Sequence, residues 1–147
     1  MRSVWLLLAL LALVPAQVRA DTQRAELLVS AYVAPVARVD AADAPGTFVV
    51  TAADVTAGYK DVSARYRVST NTAHGYLLQF SGRAGLTRAI EVRGLGSPVD
   101  LGVFGADVAQ FNGPRRAELN LQYRLHLASD VRPGEYPLPV SLAATPL

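Results

Sequence analysis

Between residues 117 and 127 apolar and polar side chains alternate without a break. Leu119, Leu121, Tyr123, Leu125 and Leu127 share one face, and Glu118, Asn120, Gln122, Arg124 and His126 share the other. A period of two predicts a strand with one face on a core and one in water. A helix would scatter these leucines around its whole circumference. Residues 62–68 repeat the pattern, with Val62, Ala64, Tyr66 and Val68 apolar and Ser63, Arg65 and Arg67 between them. Shorter runs predict strands over 25–34, 36–40, 47–52, 76–80, 87–93, 99–104 and 106–111. Turn-rich pieces separate them: 44–46, 71–75, 81–83, 94–98 and 112–114. No window of twelve residues keeps the helical spacing of apolar positions with caps at both ends. Many short strands at this spacing predict an all-β fold, a single antiparallel immunoglobulin-like β-sandwich.

The last alternating run carries Tyr136, Leu138, Val140 and Leu142 between Pro137, Pro139, Ser141 and Ala143. Residues two apart in a strand point their N–H groups to the same side, so both prolines remove donors from one side only. The simplest arrangement pairs the intact side with 117–127 in a long hairpin. Pro133-Gly134 then suits the centre of a type II turn, and the proline side is left as a blunted edge.

The opening of the chain changes the picture of where the domain begins. Met1-Arg2 precedes eleven apolar residues, Val4 to Val14, followed by Pro15 and the small-residue exit Val18-Arg19-Ala20. That order predicts a secretory signal peptide over 1–20, cleaved before Asp21. The apolar run is too short to span a bilayer, so no membrane span is expected after cleavage. The domain expected is 21–147, exported to the periplasm, the cell surface or the medium. Arg2 and Arg19 account for the whole formal excess of +2, so the remainder is balanced and offers no electrostatic case for nucleic acid.

The chain has no cysteine, which excludes disulfides, iron–sulfur ligation and thiol catalysis. The two histidines, His74 and His126, have no ligand cluster around them, so no metal and no cofactor is expected. Asp54 and Asp61 bracket an oxygen-bearing loop without EF-hand spacing, and read as turn aspartates. Gly94-Leu95-Gly96-Ser97-Pro98 lacks the ending of a phosphate loop. No nucleophile elbow precedes a helix. These readings predict no catalytic residue and no enzyme activity. Arg65, Arg67, Arg88 and Arg93 would form a basic stripe if their strands were neighbours.

Residues 26–33, Glu-Leu-Leu-Val-Ser-Ala-Tyr-Val, alternate just after the expected cleavage site. They read either as the first strand of the fold or as a strand lent to a neighbour's open groove, with Leu27, Val29, Ala31 and Val33 filling its pockets.

The chain resembles secreted bacterial pilin-like proteins of the spore-coat-protein-U and fimbrial-subunit kind. The residues that carry the resemblance are Leu121-x-Tyr123-Arg124-Leu125-x-Leu127, Pro133-Gly134-x-Tyr136 and Val140-x-Leu142. Looser matches are Asp54-Val55, Gly58-Tyr59, Val68-Ser69-Thr70-Asn71 and Gly75-Tyr76. Many members carry cysteines, and this chain carries none. The resemblance implies protein partners, through self-assembly or a periplasmic chaperone, with Leu119, Leu121, Tyr123, Leu125 and Leu127 bordering an acceptor groove. The alternative expectation is a self-contained binding module for carbohydrate or another envelope protein, with Tyr32, Tyr59 and Arg124 exposed for contact.

Overall fold

The computed structural model describes residues 28–147, so the expected signal peptide and Leu27 lie outside the described residues. The chain divides into two compact units, 1–32 and 33–147. Of the first unit only residues 28–32 are described; they are exposed and belong to no strand.

The second unit is built from strands with one short helix among them; the strands are β1 (Ala37–Asp43), β2 (Thr47–Val50), β3 (Tyr59–Thr70), β4 (Gly75–Gly82), β5 (Thr87–Arg93), β6 (Val99–Asp100), β7 (Gly105–Phe111), β8 (Arg116–Leu127), β9 (Gly134–Pro137) and β10 (Val140–Pro146). Every ladder is antiparallel. Five strands run in the order β1-β3-β8-β5-β6, three in the order β10-β4-β7, and β2 pairs with β9. One cluster of buried side chains takes Val62, Ala64, Tyr66 and Val68 from β3 and Leu121, Tyr123, Leu125 and Leu127 from β8. It also takes Ile90 and Val92 from β5 and Tyr76, Leu78 and Phe80 from β4. The period-two faces of the sequence are therefore the faces that close this core.

The longest alternating strand takes the middle of the larger sheet. β8 is paired along both edges, Ala64 lying opposite Leu121 on the β3 side and Val92 opposite Tyr123 on the β5 side. The expected hairpin between 117–127 and the last run is thus corrected: both sides of β8 are occupied, and the last run breaks in two at Leu138-Pro139. The proline reasoning holds for the donors but names the wrong partner. Leu138 N–H donates to Gly46 C=O (3.0 Å), so the donors of Tyr136 and Leu138 face β2, and the proline side is no blunted edge at Pro139, whose C=O accepts from Arg83 N–H (2.8 Å). Gly134 is no turn centre; it opens β9 opposite Val50.

Other expectations are corrected locally. Only Val99 and Asp100 pair within 99–104, because Asp100 Oδ1 accepts from Gly102 N–H (2.8 Å) and turns the chain while Leu101 enters the core. β4 continues through Ser81 and Gly82, where a turn was expected. Residues 28–34 form no strand, where 25–34 was expected to. A short helix, α1 (Ala52–Ala57), escapes any twelve-residue window. A capping box makes it: Thr51 Oγ1 accepts from Asp54 N–H (3.2 Å), and Asp54 Oδ2 accepts from Thr51 N–H (2.8 Å). Gly58 ends it in the left-handed region at φ 77°.

Candidate strand-docking site

Two sheet edges run close beside each other without forming a ladder: the outer edge of β1 and the outer edge of β10. Their hydrogen-bonding groups can be assigned from the ladder ends. Arg83 N–H donates to Pro139 C=O (2.8 Å) and Leu147 N–H to Gly75 C=O (3.2 Å), so odd-numbered residues of β10 face β4. Alternation then turns Val140, Leu142 and Ala144 toward the open side, where Pro146 adds an acceptor but no donor. On β1, Asn71 N–H donates to Val36 C=O (3.1 Å), so even-numbered residues face β3 and Ala37 and Val39 face outward. The side chains along this seam are small and apolar. Ala37, Val39, Leu142 and Ala144 are packed against the core but only half-buried.

One polar cluster fixes where the chain enters β1. Asn71 Oδ1 accepts from Val36 N–H (2.7 Å), Asn71 Nδ2 donates to Ala34 C=O (2.8 Å), and Thr70 Oγ1 donates to Val36 C=O (3.0 Å). Residues 34–36 are thereby tied to the β3–β4 turn, directly after the alternating segment. In that segment Leu28 (91% exposed), Val29, Tyr32 and Val33 all present apolar side chains to solvent. Sequence reading reached this segment through its alternation. It took Asn71 only as a turn residue, because nothing local shows that its side chain reaches back 35 positions.

The expected groove residues occupy other ground. Leu121, Tyr123, Leu125 and Leu127 are buried and Leu119 is half-buried, all on a strand with neighbours on both edges. They cannot border an open groove at a sheet edge, whereas β1 and β10 each lack a ladder partner on one side. Tyr123 instead donates its hydroxyl to Tyr66 on the neighbouring strand β3 (3.3 Å), and burial holds its ionisation far above the ordinary phenol range.

Of the residues expected to bind a ligand, Tyr59 and Arg124 are brought together on the outer face of the larger sheet. The Arg124 guanidinium lies 4.4 Å from the Tyr59 ring centre and makes two 2.8 Å bonds to Asp61. The hydrogen bonds from Arg124 hold the Asp61 carboxyl below its ordinary value. The cation covers one face of the tyrosine ring, so that face is closed to a stacking sugar. Tyr32 is exposed and belongs to the first compact unit. The suggested basic stripe does not form, since β8 separates Arg65 and Arg67 on β3 from Arg88 and Arg93 on β5. Neither aspartate expected in a turn lies in one: Asp54 is in α1 and bonds Lys60 (2.9 Å), and Asp61 is in β3 and bonds Arg124 (2.8 Å). Among the described residues no three histidine, aspartate or glutamate side chains converge as metal ligands would.

Compared with known proteins, the chain matches no family model, and no curated protein or solved structure is significantly similar to it.

Proposed function

We propose that this protein is a non-enzymatic, exported subunit of a pilus-like or other cell-surface structure, assembled by strand-mediated contact between copies. The fold is read here as an immunoglobulin-like sandwich, in which β1-β3-β8-β5 face β10-β4-β7 across the shared core. The observation that carries the reading is the pairing of supply and demand. The segment 26–33 reads as an alternating strand, and its described part, 28–33, exposes apolar side chains and has no sheet partner among the described residues. The β1–β10 seam has free main-chain groups and half-buried apolar side chains. A strand that adds to β10 as β1 moves aside would gain main-chain hydrogen bonds along Val140–Ala144, and its alternate side chains would cover Leu142 and Ala144. The donor residues proposed are Leu27, Val29, Ala31 and Val33. The acceptor is proposed at the seam rather than along β8.

Removal of residues 21–34 tests the reading. Export should persist and higher-order assembly should disappear. Assemblies that survive the deletion would overturn it. A second reading, a self-contained binding module, draws on the Tyr59–Arg124 pair. It requires a chain that stays monomeric and loses ligand binding when Tyr59 is replaced by alanine.

A further inference from the structure

The smaller sheet has a second free edge. β7 has no neighbour beyond β4 among the described residues. The ends of the β4–β7 ladder are fixed by Gly82 N–H to Phe104 C=O (2.8 Å) and Asn112 N–H to His74 C=O (3.1 Å). Even-numbered residues of β7 therefore face β4, and the main-chain groups of Asp107, Ala109 and Phe111 face outward. Gly105 offers only its C=O outward, because its N–H donates to Leu101 (3.0 Å).

Free edges are normally blunted by charge, proline, bulges or shortness. β1 carries Arg38, Asp40 and Asp43 with an irregularity between Ala41 and Asp43, β6 has two residues, and β10 carries Pro146. β7 is seven residues long, has no proline and carries one charge, Asp107. Phe104 precedes it and Phe111 ends it, and the two are 84% and 73% exposed.

We propose that β7 pairs antiparallel with β7 of a second copy, about a two-fold axis through Val108. In this register Asp107 stands opposite Ala109 of the other copy, and Phe111 stands opposite Gly105. Every hydrogen-bonded pair of the new ladder, 107 with 109 and 105 with 111, joins two outward-facing residues, while the even-numbered pairs are the non-hydrogen-bonded ones, so the ladder forms without disturbing the bonds to β4. The two three-stranded sheets become one continuous sheet. Phe111 and Gly105 lie on the same sheet face, and the glycine leaves that position bare for the ring. Gly105 cannot be replaced there, since its φ is 118° and a Cβ would lie 2.0 Å from the Phe80 carbonyl oxygen. Each Asp107 meets an alanine rather than its own copy, so the like charges stand on a diagonal. Such an interface is closed: it makes pairs and stops, whereas strand donation from the N-terminal segment makes open chains. It does not depend on the proposed function.

The absence of cysteine supplies a clean test. Val108→Cys places two thiols opposite each other at a non-hydrogen-bonded position, where the Cα atoms of a strand pair are about 4.5 Å apart and a disulfide can close. The full chain is treated with oxidised glutathione, which takes the two electrons and becomes two reduced thiols, and is then boiled and run without reductant. Boiling removes any strand-donated assembly from the readout. A covalent dimer should form from V108C at least about tenfold faster than from D107C, whose partner lies on the diagonal. Adding Ala109→Pro, which removes an outward donor and spares the bonds to β4, should abolish it. Phe111→Ser should slow it and Asp107→Asn should speed it, so the test survives if the proline variant fails to fold. Equal rates for V108C and D107C, or rates indifferent to Ala109 and Phe111, would overturn the proposal.

Discussion

The centre of the larger sheet and the β1–β10 seam use the same period-two grammar but reach opposite ends of burial. At the centre, Tyr123, Leu125, Ile90 and Val92 are wholly buried, because β8 and β5 each have strands on both edges and their apolar side chains join the common core. At the seam, Val39, Leu142 and Ala144 stop half-way, because their strands each lack one neighbour. Alternation sets which side chains face the core. Pairing sets how far they are removed from water. The first is a property of the sequence, and the second is a property of the assembly.

The sharpest break of this comparison is a matched pair of truncations. Leu125→Ala should cost about 2–5 kcal/mol, as deletion of a fully buried leucine does. Leu142→Ala should cost roughly 1 kcal/mol in the isolated chain, since much of its surface already meets water. Urea denaturation measures both, and equal losses would erase the distinction between centre and seam. Within the core, Tyr66→Phe leaves the Tyr123 hydroxyl without its partner at a site with no solvent. It should cost about 1–2 kcal/mol, measured in the same way.

Away from both regions, Thr51→Ala removes the α1 cap and should cost about 1 kcal/mol in the melting of the whole domain. The smallest effect is in pH. The Thr51 N–H, the Thr51 hydroxyl and the Lys60 ammonium hold Asp54 at about 2, below its ordinary 3.8. A depressed carboxyl stabilises the fold above its ordinary value and loses that contribution as pH falls through about 2. Stability measured from pH 5 down to 2 should therefore fall less steeply in Asp54→Asn than in the parent.

Much of the fold was legible because the strands alternate so plainly. The run 87–93 is a strand end to end, and the apolar faces of β3 and β8 are the core faces. What alternation cannot carry is which strand lies beside which. Pro137 and Pro139 reveal a side with missing donors, but not that the donors of Tyr136 and Leu138 meet β2, more than eighty residues upstream, rather than the preceding strand. The candidate site was legible by halves for the same reason. The donor segment is local and announces itself. The seam exists only after the last run splits at Leu138-Pro139 and β10 crosses to the sheet of β4.

The central claim is that the seam is completed by a strand from another copy. The most direct measurement is the solution mass of the purified chain, by light scattering after size exclusion, with unheated and boiled samples compared on an SDS gel. The account predicts a ladder of assemblies that collapses on boiling and is lost when Leu142 is replaced by aspartate. A stable monomer that refolds alone, with Leu142→Asp indistinguishable from the parent, would contradict it.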